Sequence, residues 1–223
     1  MSNAYLSRRE KLALLKEVAD KAIRDVSKDR DSWRAFLRFY AKFYKYSFSE
    51  ALLIHAQAPK ATACGELRHW NAVGRRIHRG TKGIPVFDET DRSQSIRYVF
   101  DVADTYGEDR GIPRRWRLPD KYKAAVLQEM QSRFSSPSPT EKYDKNFKWA
   151  VEEYVRENCL DHLEGIQYDF DGSLLEGLDY DSIRKEFIST VVDSVGYLIC
   201  ERLEIEKGYS FNLAWELEAT TVS

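Results

Sequence analysis

Between Cys64 and Val102 the spacing of apolar residues changes, and that change limits the folds open to this chain. Upstream, Leu12, Leu15, Val18, Ala19, Ala22, Ile23 and Val26 recur at helical spacing with charges between them. Ser7 followed by Glu10 has the form of a capping box, so a helix is expected from Ser7 to about Lys28. A second helix is expected from Asp31 or Ser32 to about Tyr44, dense in rings: Trp33, Phe36, Phe39, Tyr40, Phe43 and Tyr44. A third, capped by Ser47 with Glu50 at the matching offset, runs to about Gln57 and stops before Pro59. A short helix over 65–72 ends at Gly74.

From Gly74 the alternation is that of strands. Arg75-Arg76-Ile77-His78-Arg79 leads through Gly80-Thr81-Lys82-Gly83 into Ile84-Pro85-Val86-Phe87-Asp88-Glu89, the pattern of a hairpin around a glycine turn. Pro85 suits an edge strand or a bulge. After a polar loop, Ile96, Tyr98, Phe100 and Val102 share one face of a further strand at period two, and their shared face predicts a place in the core. The fold class that follows is α+β: a helix-rich body backing a small antiparallel sheet of three strands at about residues 75–102, and a helical C-terminal part.

Net charge sharpens the division. Residues 1–151 carry 30 Lys/Arg against 19 Asp/Glu, or +11, and residues 152–223 carry 5 against 17, or −12. An asymmetry of that size points to a polyanion as partner for the basic part. The acidic part suits a solvated face, a protein-docking surface or an internal competitor for the basic groove. Ser135-Ser136-Pro137-Ser138-Pro139 has linker composition, so a basic region over 1–134 and an acidic helical region over 140–223 are expected. Helices are expected from Pro119 to about Phe134, over 140–159 and over 180–203, the last with an apolar stripe of Ile183, Phe187, Val191, Val192, Val195, Leu198 and Ile199. Three unpaired cysteines (Cys64, Cys159, Cys200), no apolar run of membrane-spanning length and no signal-peptide pattern at the N-terminus set the cytoplasm as the expected location, with no membrane partner.

The densest candidate site lies between Arg68 and Lys82. Arg68, His69, Trp70, Arg75, Arg76, His78, Arg79 and Lys82 face one acid, Glu66, in that stretch. If Ile77 faces the core, Arg76 and His78 point away from it. The backbone amides of a glycine turn can form an anion-binding concavity, and flanking cations raise its potential. Arg75, Arg76, Arg79 and Lys82 are the expected phosphate contacts, Trp70 and Phe87 the expected stacking rings, and Arg114, Arg115 and Arg117 the extension of the track. A charged, solvated hairpin is the competing account of the same residues.

Catalytic patterns fit poorly. There is no His-Glu-x-x-His motif, and Gly80-Thr81-Lys82-Gly83 lacks the order of a phosphate-binding loop. Asp101 and Asp104 could hold a hydrated Mg²⁺, as nuclease carboxylates do, but a capped turn after the strand accounts for them more simply. The expectation is a binding domain rather than an enzyme, without metal or cofactor.

Two stretches resemble a known family. They are Tyr46-Ser47-Phe48-Ser49-Glu50-Ala51-Leu52-Leu53-Ile54-His55-Ala56-Gln57-Ala58-Pro59-Lys60-Ala61-Thr62, and Arg79-Gly80-x-Lys82-Gly83-Ile84-Pro85-Val86 leading to Tyr98-Val99-Phe100-Asp101-Val102-x-Asp104-Thr105. With Trp70 and Gly74-Arg75 between them, they are similar to the N-terminal domain of ArdC-type antirestriction proteins, in the version found at the front of large proteins of Gram-positive conjugative elements. The segments Ser173-Leu174-Leu175-Glu176 and Asp193-Ser194-Val195-Gly196-Tyr197 resemble the region that follows there, so the likeness covers about residues 30–207. It implies binding of single-stranded DNA and protection of an incoming mobile element from host defence. The zinc peptidase motif of full ArdC proteins is missing here. The alternative is an anti-CRISPR-type inhibitor that binds a host restriction or CRISPR nuclease, or its guide-RNA complex, directly. An acidic surface suits that role because it can occupy a nuclease's basic channel.

Overall fold

The computed structural model describes residues 6–88, 95–112, 118–134, 143–166 and 176–204. The chain divides into two units, Met1–Arg115 and Trp116–Ser223. The linker-like segment at 135–139 lies outside the described residues, and the helix before it groups with the second unit.

The first unit begins with three helices, α1 (Arg8–Ser27), α2 (Arg30–Tyr40) and α3 (Phe48–Gln57). Local chemistry sets their starts. Ser7 and Glu10 close a capping box on α1, and Ser47 and Glu50 close one on α3, each pair satisfying two backbone donors that a helix end leaves orphaned. Asp29, not Asp31 or Ser32, caps α2, its carboxylate accepting from the Ser32 amide at 2.7 Å. The helix stops at Tyr40, four residues short of the expected end. Residues 41–46 continue as tight turns closed by amide bonds from Lys42 to Phe39, Phe43 to Tyr40 and Tyr46 to Phe43.

The sheet differs from its expected pairing. Strands β1 (Cys64–Gly65), β3 (Ile84–Asp88) and β4 (Ser95–Asp101) form an antiparallel sheet in the order β1-β4-β3, while β2 (Arg75–Ile77) pairs with β5 (Thr105–Gly107) as a separate ribbon. The glycine turn at 80–83 thus joins two strands of different sheets instead of closing a hairpin. The hairpin is β3–β4, with Ile84 opposite Val99 and Phe87 opposite Ile96. Pro85 sits on the edge strand, as its missing donor requires, and its carbonyl accepts from the Gln57 side chain at 3.0 Å.

α3 packs on β3, and the core between helices and sheet holds Leu15, Phe39, Phe43, Leu53, Ile54, Ile84, Val86 and Val99. Each such side chain contributes about 1.5–3 kcal/mol by leaving water. The buried face of β4 is the one with Val99 and Asp101, so the ring-bearing face expected in the core is the outer one; Tyr98 is 45% exposed and Phe100 half-buried. Charge on the inward face misled the pattern. Arg97 donates to Glu50 at 3.0 Å and to Glu66 at 2.9 Å, and its guanidinium lies 5.6 Å from the Tyr46 ring. Burial works against the charged guanidinium, but the bonds to Glu50 and Glu66 outweigh it and leave the Arg97 pKa raised.

The second unit is helical among the described residues: α5 (Asp120–Phe134), α6 (Tyr143–Asn158), α7 (Leu160–Ile166) and α8 (Tyr180–Leu203). α6 packs along α8 through Val151, Val155, Ile188 and Val192. Of the expected stripe on α8, Ile183 and Val192 are buried and Phe187, Val191 and Ile199 pack against the core, while Val195 is 36% exposed. The buried face also takes in Asp193 and Ser194, and Lys148 of α6 meets the Asp193 carboxylate at 2.7 Å. No described helix is long and apolar enough to cross a membrane.

Candidate nucleic-acid interface

The separate β2–β5 ribbon is what gathers the exposed cations and a ring. Its register sets Arg75 opposite Gly107, Arg76 opposite Tyr106 and Ile77 opposite Thr105, and the His78 amide extends the ladder to the Asp104 carbonyl at 3.0 Å. Side chains alternate across a strand, so Arg76, His78 and Tyr106 share one face. Tyr106 is 53% exposed, and the His78 ring lies 5.0 Å from its centroid at 37°. Arg76 is held beside them by the Asn71 side-chain oxygen of α4 (Leu67–Ala72) at 3.0 Å.

Past His78 the chain turns. The Thr81 amide bonds back to the His78 carbonyl, and Gly80 takes φ +89°, a conformation that favours glycine. Arg79 and Lys82 are exposed on this turn. Among the described residues no carboxylate pairs with Arg76, Arg79 or Lys82. Their charge is therefore open to an external anion. Arg68 is also exposed, but it is spent in part on Glu66, 3.0 Å away.

Two expected contacts do not survive. Trp70 cannot stack on a base, because it is completely buried; its indole N–H donates to the Phe100 carbonyl at 3.0 Å, and its ring packs against Gly65. Arg75 cannot reach a phosphate either. It is 5% exposed, and its guanidinium donates to the Thr105 hydroxyl at 2.8 Å, the Thr105 carbonyl at 3.0 Å and the Glu108 carbonyl at 3.1 Å. Its stem runs beside Gly107 and Gly111, where an added Cβ would stand 3.0 Å from Arg75 atoms in each case. Arg75 is a strut for the ribbon. Phe87 is half-buried against the core of the first unit, opposite Ile96. Arg114, Arg115 and Arg117 lie outside the described residues.

The pair Asp101 and Asp104 shows no open ligand set. Asp101 is 8% exposed, and its carboxylate accepts from the amides of Thr62 at 2.8 Å, Ala63 at 3.0 Å and Ala103 at 3.2 Å. It caps the 3-10 turn at Val102–Asp104, which is the simpler of the two readings of those residues. Among the described residues no cluster of three or more His, Cys, Asp or Glu could hold a metal ion. Beside it, burial and then the Asp101 charge push the Cys64 thiol pKa upward, which keeps that thiol protonated and unreactive.

Tyr106 and Asn71 were missed in the sequence reading. The signal for Tyr106 was a lone ring in a polar run, Asp104-Thr105-Tyr106-Gly107-Glu108, too short to register as a strand. The structural division keeps the charge asymmetry: residues 1–115 carry 23 Lys/Arg against 15 Asp/Glu, and residues 116–223 carry 12 against 21. The chain matches no family model, no curated protein and no solved structure in these comparisons.

Proposed function

We propose that the first unit binds single-stranded nucleic acid, DNA in preference, and serves a mobile element as an antirestriction protein. The observation that carries the binding is the half-exposed Tyr106 ring, with Arg76 opposite it across the ribbon and the tilted His78 ring 5.0 Å away, next to the cations of the 79–82 turn. An exposed ring offers any unpaired base a stacking surface worth about 1–3 kcal/mol, whatever the base. Arginine and lysine then neutralise the phosphates on either side, releasing counterions. A duplex hides its base faces and gains only the second term. That difference is what favours a single strand. The role in defence evasion draws on the resemblance to ArdC-type N-terminal domains and on the basic first unit.

The test is fluorescence anisotropy of a labelled single-stranded 30-mer with the wild-type chain and with the Arg76→Glu/Arg79→Glu variant. Both side chains are exposed, so far-UV circular dichroism should be unchanged. Affinity should fall at least tenfold. Equal affinity of the two proteins would remove this face from consideration.

A further inference from the structure

The 79–82 turn joins the ribbon to a second exposed ring. Tyr98 lies on the outer face of β4, opposite Pro85 of β3, and is 45% exposed. Gly83 ends the turn directly against it: a Cβ there would stand 2.9 Å from Tyr98 Cβ and 2.9 Å from Phe100 Cζ. At the other end of the turn His78 lies on Tyr106. Arg79 and Lys82, both exposed and without a carboxylate partner among the described residues, occupy the stretch between the rings.

We infer that Tyr98 is a second stacking platform, and that one single strand runs from Tyr106 over the 79–82 turn to Tyr98. The inference rests on the single-strand reading above and adds a footprint to it. From His78 to Gly83 the chain spans at most about 17 Å. The turn folds the chain back, with the Thr81 amide bonded to the His78 carbonyl, so a stacked strand rising about 3.4 Å per nucleotide covers the path in at most about five nucleotides. The two cations then meet the phosphates between the two stacked bases. Charge complementarity along the turn selects a polyanion as the occupant, and the half-exposed rings at its ends select one with unpaired bases. Phe100 and Pro85 back Tyr98 as an apolar floor on the same face.

Two measurements test this with the full chain. Tyr98→Ala should weaken binding of a dT 12-mer about tenfold, whereas Tyr98→Phe, which keeps the ring, should restore it. In parallel, dT 12-mers carrying one 5-iodouracil at successive positions are photo-crosslinked, and the adducts are mapped by mass spectrometry. Crosslinks to both Tyr98 and Tyr106, from separate positions no more than about five nucleotides apart, are expected. Crosslinks to Tyr106 alone, with Tyr98→Ala binding as wild type, would overturn the second platform and leave the single-strand reading intact. If neither ring crosslinks and charge reversal at Arg76 and Arg79 has no effect, the single-strand reading itself falls. A Tyr98→Phe variant as weak as Tyr98→Ala would also count against stacking.

Discussion

The indole N–H of Trp70 donates to the carbonyl of Phe100 at 3.0 Å, which ties helix α4 to the strand that presents Tyr98. The same Phe100 lies with its ring against Gly83, at the end of the basic turn. A fully buried residue of the core thus fixes the support of the exposed face. Trp70→Phe should remove that donor, shrink a fully buried side chain and destabilise the first unit by about 1–3 kcal/mol. A urea midpoint followed by far-UV circular dichroism would show it, and an unchanged midpoint would contradict the assigned role.

Neighbouring arginines should behave in opposite ways. Arg75→Ala strips three hydrogen bonds from Thr105 and Glu108 and should cost about 2–4 kcal/mol of stability. Arg76→Ala should leave stability within about 0.5 kcal/mol and lower affinity for single strands. Thermal melts and anisotropy on the two variants separate strut from contact. Matching effects in both assays would defeat the distinction.

Gly83→Ala brings a methyl to within 2.9 Å of both Tyr98 and Phe100. The ring of Phe100 must shift or the turn must lift, at a cost of about 1–3 kcal/mol. Both stability and single-strand affinity should drop. Gly80→Ala, where a Cβ meets open space but φ is +89°, should lower stability through backbone strain alone.

His55 gives a pH signature. It packs edge-on against Phe36 at 5.5 Å and Phe39 at 4.9 Å, and burial holds its pKa below the ordinary histidine value. The unfolded chain therefore takes up the proton first as pH falls. The contribution of neutral His55 is complete above its unfolded pKa of about 6.5 and is lost as pH falls through the lower folded value. Between pH 7.5 and 5, wild type should lose stability relative to His55→Gln, measured as the gap between their urea midpoints. A gap that does not change with pH would contradict the burial of the neutral ring.

What the sequence made legible was local. The capping boxes at Ser7–Glu10 and Ser47–Glu50 bridge three residues, so their pattern can be read without knowing the rest of the fold. The pairing of β2 with β5 could not be read that way. It brings together segments about 30 residues apart, one of them only Thr105–Gly107, and a glycine turn directly after β2 invited a nearer partner. Buried charge hid the remainder. Arg75, Arg97 and Asp101 turn inward because each finds several hydrogen-bond partners there, and this inverts the polar-out rule that placed Tyr98 and Phe100 in the core. Arg76 and His78 could be read as exposed from Ile77 facing inward, and Arg79 and Lys82 from flanking the glycine turn, while Tyr106 could not.

The most direct measurement of the central claim is the salt dependence of anisotropy for single-stranded and duplex 30-mers with the wild-type chain. Arg76, Arg79 and Lys82 neutralising three phosphates should give a slope of log K against log salt of about −2 on the single strand. The single strand should also bind at least tenfold tighter than the duplex at every salt concentration, since stacking on Tyr106 and Tyr98 survives screening. Equal affinity for the two forms would show that the rings take no part. An absence of binding even at low salt would contradict the nucleic-acid reading of this face altogether.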